Sequence, residues 1–269
     1  MLQHTQKLLA IMARLRSPDG GCAWDIQQDF YSLIPFTIEE AYEVADAIER
    51  SDWDDLRLEL GDLLLQVAFH AQIAEEQGLF NFEQVAESIC EKLVRRHPHV
   101  FGDTHYHDDD ERKKAWEDAK LEERQSKKRS ALPDSVLDGV PGNLPALVQC
   151  EKIQNRAAGQ GFDWPEVLPV FNKVMEELEE VREAWESGDQ VHIQEEVGDL
   201  LLVAVNLARH LKVNPEIALR ESTKKFSSRF QYIEQQVQAS GRGMRDCELA
   251  ELDELWNEAK RVLKGQKDL

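Results

Sequence analysis

Acidic residues spaced three apart recur in the second half of the chain, and this spacing places both carboxylates of a pair on one helix face. The pairs are Glu177 with Glu180, and Glu196 with Asp199. They are symmetric about Gly188, which lies in a Ser-Gly-Asp sequence that predicts a tight turn. Because a helix rises about 1.5 Å per residue, an antiparallel hairpin closing there would hold all four carboxylates roughly 12 Å from the turn. The spacing predicts one convergent acidic patch.

The same acidic pattern occurs in the first half of the chain, centred on residue 51. Residues 39–65 match residues 176–202 at a constant offset of 137, with 13 identities in 27 positions. Self-similarity of this kind is typical of a duplicated structural unit. We therefore interpret the two halves as copies of one helical unit. The acidic residues of the first copy are Glu40, Glu43, Glu59 and Asp62.

A patch of four carboxylates is costly without a cation, because like charges at close range repel or force proton uptake. Ligation by oxygen alone favours Mg²⁺, with Mn²⁺ as a substitute, over zinc or iron. A di-iron bundle would need E-x-x-H, and Asp62 and Asp199 stand where that histidine would be. Magnesium held by few carboxylates keeps positions for water and phosphate, so the pattern indicates a phosphate ester or anhydride substrate.

Basic and aromatic residues with helical spacing follow the acidic pairs. Lys225 and Arg229 are four apart on one predicted helix, and Trp256 and Lys260 are four apart on another. Each pair presents one face, on which cations would neutralise phosphate oxygens and the indole would stack on a base. The corresponding residues of the first copy are Lys92, Arg96, Trp116 and Lys120.

Long helices must position these residues, since glycine and proline are scarce and alternating β-branched segments are almost absent. Thr37 with Glu40 predicts a capping box, and Asn81, Asp189 and Asn214 are predicted N-caps. The fold class is therefore predicted to be all-α. The predicted helices cover residues 2–16, 36–50, 52–77, 82–97, 110–127, 144–157, 166–187, 190–211, 215–239 and 248–264.

Two tandem domains with four-helix-bundle packing are expected from the repeat. The N-terminal domain is assigned to residues 1–125 and the C-terminal domain to residues 146–269. Residues 126–145 are predicted to be a linker, because this stretch is rich in proline and glycine and begins with a basic run at residues 127–129.

A net charge of −20 argues against nucleic-acid polymers as partners. No apolar run is long enough to span a bilayer, and the N-terminus lacks the apolar region of a secretory signal, so a cytoplasmic protein without a membrane partner is expected. Four widely spaced cysteines indicate reduced thiols rather than disulfides or a zinc site. Four histidines between residues 97 and 107 match no standard metal-ligand spacing and are interpreted as a polar connector.

These motifs resemble those of the MazG family of nucleoside triphosphate pyrophosphohydrolases, within the all-α NTP pyrophosphatase superfamily. The resemblance includes E-x-x-E followed by E-x-x-D, and also RRHPHVFGD, NLPAL, GFDW and VNLARHL. It implies a tandem-domain homodimer that uses Mg²⁺ to hydrolyse a nucleoside triphosphate to the monophosphate and diphosphate. Metal activation of a water would promote its attack on the α-phosphorus.

The same resemblance assigns roles to individual residues of the second copy. The magnesium ligands, which are also the catalytic residues, would be Glu177, Glu180, Glu196 and Asp199. The substrate contacts would be Lys173, Lys225, Arg229, Trp256 and Lys260, with Glu176 beside them.

The two copies differ in charge near the acidic patch. Lys173 of the second copy corresponds to Phe36 of the first, and His192 corresponds to Asp55. Because the first copy has lost a cation and gained an anion, we hypothesise that the C-terminal copy is the main catalytic site. A second hypothesis remains open: a non-catalytic helical protein whose acidic hairpins bind metal or a basic partner.

Overall fold

The computed structural model describes residues 3–109, 111–112, 115–116, 119, 123 and 135–265. Within these ranges the regular structure is helical and contains no strand, which confirms the all-α prediction. None of the described helices is both long and apolar enough to cross a membrane. The chain divides into two compact units, residues 1–129 and 130–269. The predicted domain boundary at residue 125 lies outside the described residues, and the domain limits stay a prediction.

The first unit is built around an antiparallel pair of helices, α3 and α4, with α1 and α5 packed against α4. Its small apolar core is formed by Met12, Leu33, Phe69 and Ile73, and Phe36 packs against that core. The helices of this unit are α1 (Gln3–Leu15), α2 (Ala23–Gln27), α3 (Ile34–Glu49), α4 (Trp53–Glu76), α5 (Phe82–Arg96) and α6 (Pro98–Phe101).

The second unit repeats this arrangement, with α8 and α9 as the antiparallel pair. Helix α10 packs against α7 and α11, and a short 3₁₀ helix, Met244–Asp246, precedes α11. The helices of this unit are α7 (Ala146–Ala158), α8 (Leu168–Ser187), α9 (Gln190–His210), α10 (Pro215–Ala239) and α11 (Leu249–Gly265).

Side-chain caps begin several helices where the sequence predicts them. Asn81 accepts a hydrogen bond from the backbone N–H of Gln84, whose side chain accepts in return from the N–H of Asn81. Asp189 caps α9 and Asn214 caps α10. These three predicted caps are confirmed, and they satisfy backbone donors that a helix start leaves unpaired.

The predicted capping box at Thr37 is wrong. Helix α3 begins three residues earlier, at Ile34, with Pro35 in its first turn. Thr37 lies inside the helix and its hydroxyl donates to the carbonyl of Leu33. Burial of Leu33 in the core favours the earlier start, and proline is well suited to a first helical turn.

Two short helices were not predicted, and one predicted helix lies partly outside the described residues. The helices Ala23–Gln27 and Pro98–Phe101 were not predicted, since segments this short carry little periodic signal. Of the predicted helix at 110–127, the described residues are helical and the rest lie outside the described residues. Lys120 and the basic run at residues 127–129 also lie outside the described residues.

Both long hairpins close at a residue in the left-handed region of backbone space. Gly188 has φ 71° between α8 and α9, and Ser51 has φ 56° between α3 and α4. These residues stand 137 positions apart, which is the offset of the sequence repeat. The equal turns place each helix pair in the register that the symmetric acidic spacing predicts.

Candidate metal and nucleotide site

The α8–α9 hairpin brings acidic residues from both helices together. Oxygen atoms of Glu177, Glu196 and Asp199 all lie within 4.8 Å of one another. Glu177 is buried, at 4% exposure, whereas Asp199 is exposed. Oxygens bound to one cation at about 2.1–2.5 Å lie at most about 4–5 Å apart, so this spacing fits a shared divalent ion.

Glu180 lies next to these three residues but outside the group of mutually close oxygens. Burial raises the pKa of the Glu180 carboxyl, and the neighbouring Glu177 and Glu196 raise it further, whereas Lys173 opposes the rise. The four acids predicted from the sequence therefore share one electrostatic environment. Their donors are all carboxylate oxygens, which are the ligands that Mg²⁺ and Mn²⁺ prefer.

Lys173 supplies positive charge one turn before the first acidic pair. Its Nζ lies 2.7 Å from Oε1 of Glu176 and 2.8 Å from Oε1 of Glu177. Hydrogen bonds to Glu176 and Glu177 raise the pKa of Lys173 above its ordinary value, so the ammonium stays protonated. A cation at this position compensates part of the charge of the acidic patch and remains partly accessible.

His192 is a further member of the site, although in the sequence it stands out only as a difference between the two copies. Its Nε2 lies 3.1 Å from Oε1 of Glu196, one helical turn away. The i,i+4 spacing was a sequence signal for this contact. The imidazole orients the Glu196 carboxylate, whose side chain is 17% exposed.

A second group of predicted residues meets where α10 packs against α11. The guanidinium carbon of Arg229 lies 5.3 Å from the ring centroid of Trp256, which is a cation–π distance. The ring centroids of Phe226 and Trp256 lie 5.1 Å apart, and Phe230 stacks on Phe226. Neither phenylalanine was predicted from the sequence, although their four-residue spacing on one helix could have revealed them.

The remaining predicted contacts are on the surface of this group. Lys225 is exposed, and Lys260 is exposed with its Nζ 3.2 Å from Oδ1 of Asn257. Within the part of the chain that the structure describes, no hydrogen bond or ion pair joins the α10–α11 group to the acidic patch. The direct contacts among the predicted residues thus fall into two sets, one in the acidic patch and one between α10 and α11.

The first unit also gathers its acidic residues. Oxygens of Glu40, Glu43 and Glu59 lie within 4.8 Å of one another. Burial raises the pKa of Glu40, and Asp62, Glu43 and Glu59 raise it further. All four predicted acids of the first copy therefore contribute to one patch.

Arg50 changes the charge balance that the sequence suggested for the first copy. Its guanidinium pairs with Asp46 at 2.7 Å and with Asp52 at 3.2 Å, and it also contacts Asp55. Asp55 is therefore compensated locally and is not the uncompensated anion that comparison with His192 suggested. Phe36, by contrast, packs against the core and supplies no charge in place of Lys173.

Comparison with known proteins agrees with this arrangement. The model of the MazG nucleotide pyrophosphohydrolase domain matches residues 28–101 and 168–233, one segment in each unit. The nucleoside triphosphate pyrophosphohydrolase of Escherichia coli K12 is 48% identical over 262 residues, covering 97% of this chain and 98% of that protein. The nucleoside triphosphate pyrophosphohydrolase/pyrophosphatase MazG of Thermotoga maritima is 44% identical over 255 residues, covering 95% of each chain. Two matched segments, each carrying an acidic hairpin, show that the chain belongs to the MazG family in its tandem form.

Proposed function

We propose that the protein is a Mg²⁺-dependent nucleoside triphosphate pyrophosphohydrolase, which converts a nucleoside triphosphate and water to the monophosphate and diphosphate. The observation that carries this proposal is the group of Glu177, Glu196 and Asp199 oxygens within 4.8 Å of one another, with Lys173 beside it. The names of the E. coli and T. maritima relatives support the same activity.

The acidic patch is proposed as the metal-binding and catalytic part of the site. Glu177, Glu180, Glu196 and Asp199 would hold Mg²⁺, or Mn²⁺ in its place. A bound divalent cation neutralises triphosphate charge and lowers the pKa of water. The negative charge of the carboxylates attracts the cation. A carboxylate of the patch accepts the proton that the attacking water loses.

The basic and aromatic residues are proposed as the nucleotide contacts. Lys173, next to Glu177, would balance phosphate charge close to the acidic patch. The Arg229 guanidinium lies over the Trp256 ring, so one would hold a phosphate while the other stacks on the base. Lys225 and Lys260 add exposed positive charge. Glu176 would act indirectly, by fixing the Lys173 ammonium.

The second unit is also proposed to pair with another copy of the chain. Met175, Leu178 and Leu201 on the α8–α9 hairpin are each more than half exposed, at 65%, 51% and 56%. Apolar residues clustered on two helices of one hairpin are typical of a surface that another helix covers. Sedimentation of the intact protein tests this, since a Met175→Glu, Leu178→Glu variant should shift the population from dimer to monomer.

A cytoplasmic location is part of the proposal. All four cysteines are free thiols, and Cys22 and Cys90 are exposed. Exposed free thiols persist most readily in a reducing compartment.

The decisive experiment separates hydrolysis from simple binding. Wild-type protein is incubated with a nucleoside triphosphate, with and without Mg²⁺, and the products are resolved by anion exchange. Monophosphate and diphosphate in equal amounts, formed only with metal, are expected. Glu196→Gln should abolish turnover while the far-UV circular dichroism stays unchanged. A nucleoside diphosphate product would contradict the proposed reaction, and no product at all would favour the non-catalytic interaction protein.

A further inference from the structure

Two arginines of the first unit converge on one carboxylate. Arg96, the counterpart of Arg229, donates to Glu123 through Nη2, 2.5 Å from Oε2, and through Nε, 3.2 Å from Oε1. Arg95 donates to the same Oε1 through Nη2 at 2.7 Å and through Nε at 3.0 Å. The Glu123 side chain is 12% exposed and the Arg96 side chain 23% exposed, so this contact is better shielded from water than an ordinary surface ion pair.

The second unit has a different pair of residues at the positions of this carboxylate and the second arginine. The register that aligns the basic and aromatic residues of the two copies pairs Glu123 with Leu263 and Arg95 with Ser228. The Arg229 guanidinium lies instead over an aromatic ring. The duplicated arginine is therefore kept in both units, but at these positions only the first unit supplies it with an anion.

A carboxylate in this position competes directly with a phosphate. A guanidinium is a planar fork whose N–H groups match two oxygens of either a carboxylate or a phosphate. Arg96 already uses one edge of its fork, since its Nε and Nη2 contact different oxygens of Glu123. A phosphate can bind to that edge only after the carboxylate has left. The carboxylate belongs to the same chain, so it competes at the high effective concentration of an intramolecular partner.

The first unit has fewer other cations with which to hold a triphosphate. Phe36, the counterpart of Lys173, packs against the hydrophobic core and supplies no charge. Nucleotide binding in this unit therefore depends more strongly on Arg96 than binding in the second unit depends on Arg229. Occupation of this one guanidinium is for that reason sufficient to weaken the site.

We propose that Glu123 is an internal competitor of phosphate, whose carboxylate occupies Arg96 and thereby keeps a nucleoside triphosphate from binding to the first unit. The inference rests on the proposed function, because it extends the nucleotide-binding role of Arg229 to its counterpart Arg96. The contact confines nucleotide binding to the second unit, and removal of the carboxylate opens a second nucleotide site in the chain.

The test measures binding of radiolabelled ATP, with Mg²⁺, to the full-length chain by equilibrium dialysis. The nucleotide site of the second unit is disabled by Glu177→Ala, Glu196→Gln and Arg229→Ala, so that bound ATP reports on the first unit. Adding Glu123→Leu, which copies the second unit, should tighten ATP binding at least tenfold. Glu123→Gln removes the negative charge while keeping the size of the side chain, and it should also tighten binding if leucine impairs folding.

Two further variants identify the group that binds the nucleotide. Adding Arg96→Ala to the Glu123→Leu chain should return the affinity to that of the disabled parent. Glu76→Leu is the matched control, because Glu76 pairs with Arg16 in the same unit at 2.7 Å, and Arg16 is not one of the residues aligned with nucleotide contacts. This control should leave the affinity unchanged. Equal affinities for Glu123→Leu and Glu76→Leu, or Glu123 variants that keep the parent's circular dichroism and bind no more tightly, would overturn the proposal.

Inorganic triphosphate shows whether the gain comes from the phosphates. Because the competition is for a phosphate-binding guanidinium, Glu123→Leu should tighten the binding of inorganic triphosphate by about the same factor as that of ATP. A gain with ATP and none with inorganic triphosphate would contradict competition between the carboxylate and phosphate.

A separate measurement distinguishes failure of this inference from failure of the proposed function. Arg229→Ala in an otherwise wild-type chain should raise the KM for ATP. If the KM is unchanged, the nucleotide-binding role of Arg229 is wrong and the inference fails with it. If the KM rises but Glu123→Leu brings no gain in the disabled chain, only the role of Glu123 is refuted and the proposed function stands.

Discussion

The carboxylate of Glu123 holds the guanidinium of Arg96 in a two-point ion pair, with Nη2 2.5 Å from Oε2. Arg95 donates to the same carboxylate at 2.7 Å. Together Arg96 and Arg95 lower the pKa of Glu123 to about 2. Arg229, at the corresponding place in the second unit, instead lies over Trp256. The arginine of the first unit therefore pairs with a carboxylate of its own unit, whereas the corresponding arginine of the second unit contacts an aromatic ring.

Because Glu123 engages Arg96 whereas Arg229 contacts Trp256, the acidic patches of the two units are expected to differ in catalytic activity. Glu177→Ala should reduce monophosphate formation by at least about 100-fold, because it removes a buried ligand of the proposed metal site. Glu40→Ala should leave the rate within a few-fold of wild type. Initial rates at saturating nucleotide and Mg²⁺, with circular dichroism to verify folding, make the comparison. Equal losses in the two variants would refute the assignment of catalysis to the second unit.

Trp256 is expected to bind substrate without selecting its base. Removing the ring with Trp256→Ala should raise KM by about 10-fold, since stacking on a base is worth about 1–3 kcal/mol. The increase should be similar for purine and pyrimidine nucleotides, because every base offers a π-face. Trp256→Phe should restore most of the affinity. A loss confined to one base would show that the site reads base edges instead.

Arg209 and Asp163 form a partly exposed ion pair that ties the loop before α8 to the end of α9. Arg209 Nη1 lies 2.8 Å from Asp163 Oδ2, and His210 Nε2 lies 2.9 Å from Asp163 Oδ1. Hydrogen bonding from Arg209, aided by His210, lowers the pKa of Asp163. Asp163→Asn should therefore reduce the free energy of unfolding at pH 7 by about 0.5–1.5 kcal/mol.

The pH dependence of this loss of stability follows from the direction of the pKa shift of Asp163. A carboxylate with a lowered folded-state pKa stabilises fully above its unfolded pKa, about 3.9, and the stabilisation disappears as the pH falls through the folded value. The difference between wild type and Asp163→Asn in urea denaturation should be present at about pH 5 and shrink below about pH 4. Glu166→Gln, in the same loop and exposed, is the control and should be near neutral throughout. A difference that grows as the pH falls from about 5 to about 3 would contradict this account.

The sequence predicted the parts of the site that depend on local spacing. The symmetric acidic pairs defined both hairpins, and the caps at Asn81, Asp189 and Asn214 are where the local residues indicate. Contacts between residues distant in sequence could not be predicted in this way. The pairing of Arg96 with Glu123 joins positions 27 residues apart, and no periodic pattern specifies such a partner.

Burial explains the other differences between prediction and structure. Gln66 is buried and its Oε1 has no hydrogen-bond partner among the described residues, and the sequence does not reveal this burial. The start of α3 likewise depends on burial of Leu33, which has no capping side chain, and the local capping signal at Thr37 did not decide it. Tertiary packing therefore overrode local preference at these positions.

The turns at Ser51 and Gly188 offer a paired test of the duplicated hairpin. Glycine adopts positive φ without the steric penalty that other residues incur, and both residues have φ between 56° and 71°. Ser51→Gly should therefore raise the free energy of unfolding by about 0.5–1 kcal/mol, and Gly188→Ser should lower it by about 1 kcal/mol. A Cβ at Gly188 would meet no atom within 4 Å, so the loss reports backbone strain and not a clash. Thermal unfolding should show shifts of about 2–4 °C in opposite directions. Shifts of the same sign would show that the two turns are not equivalent.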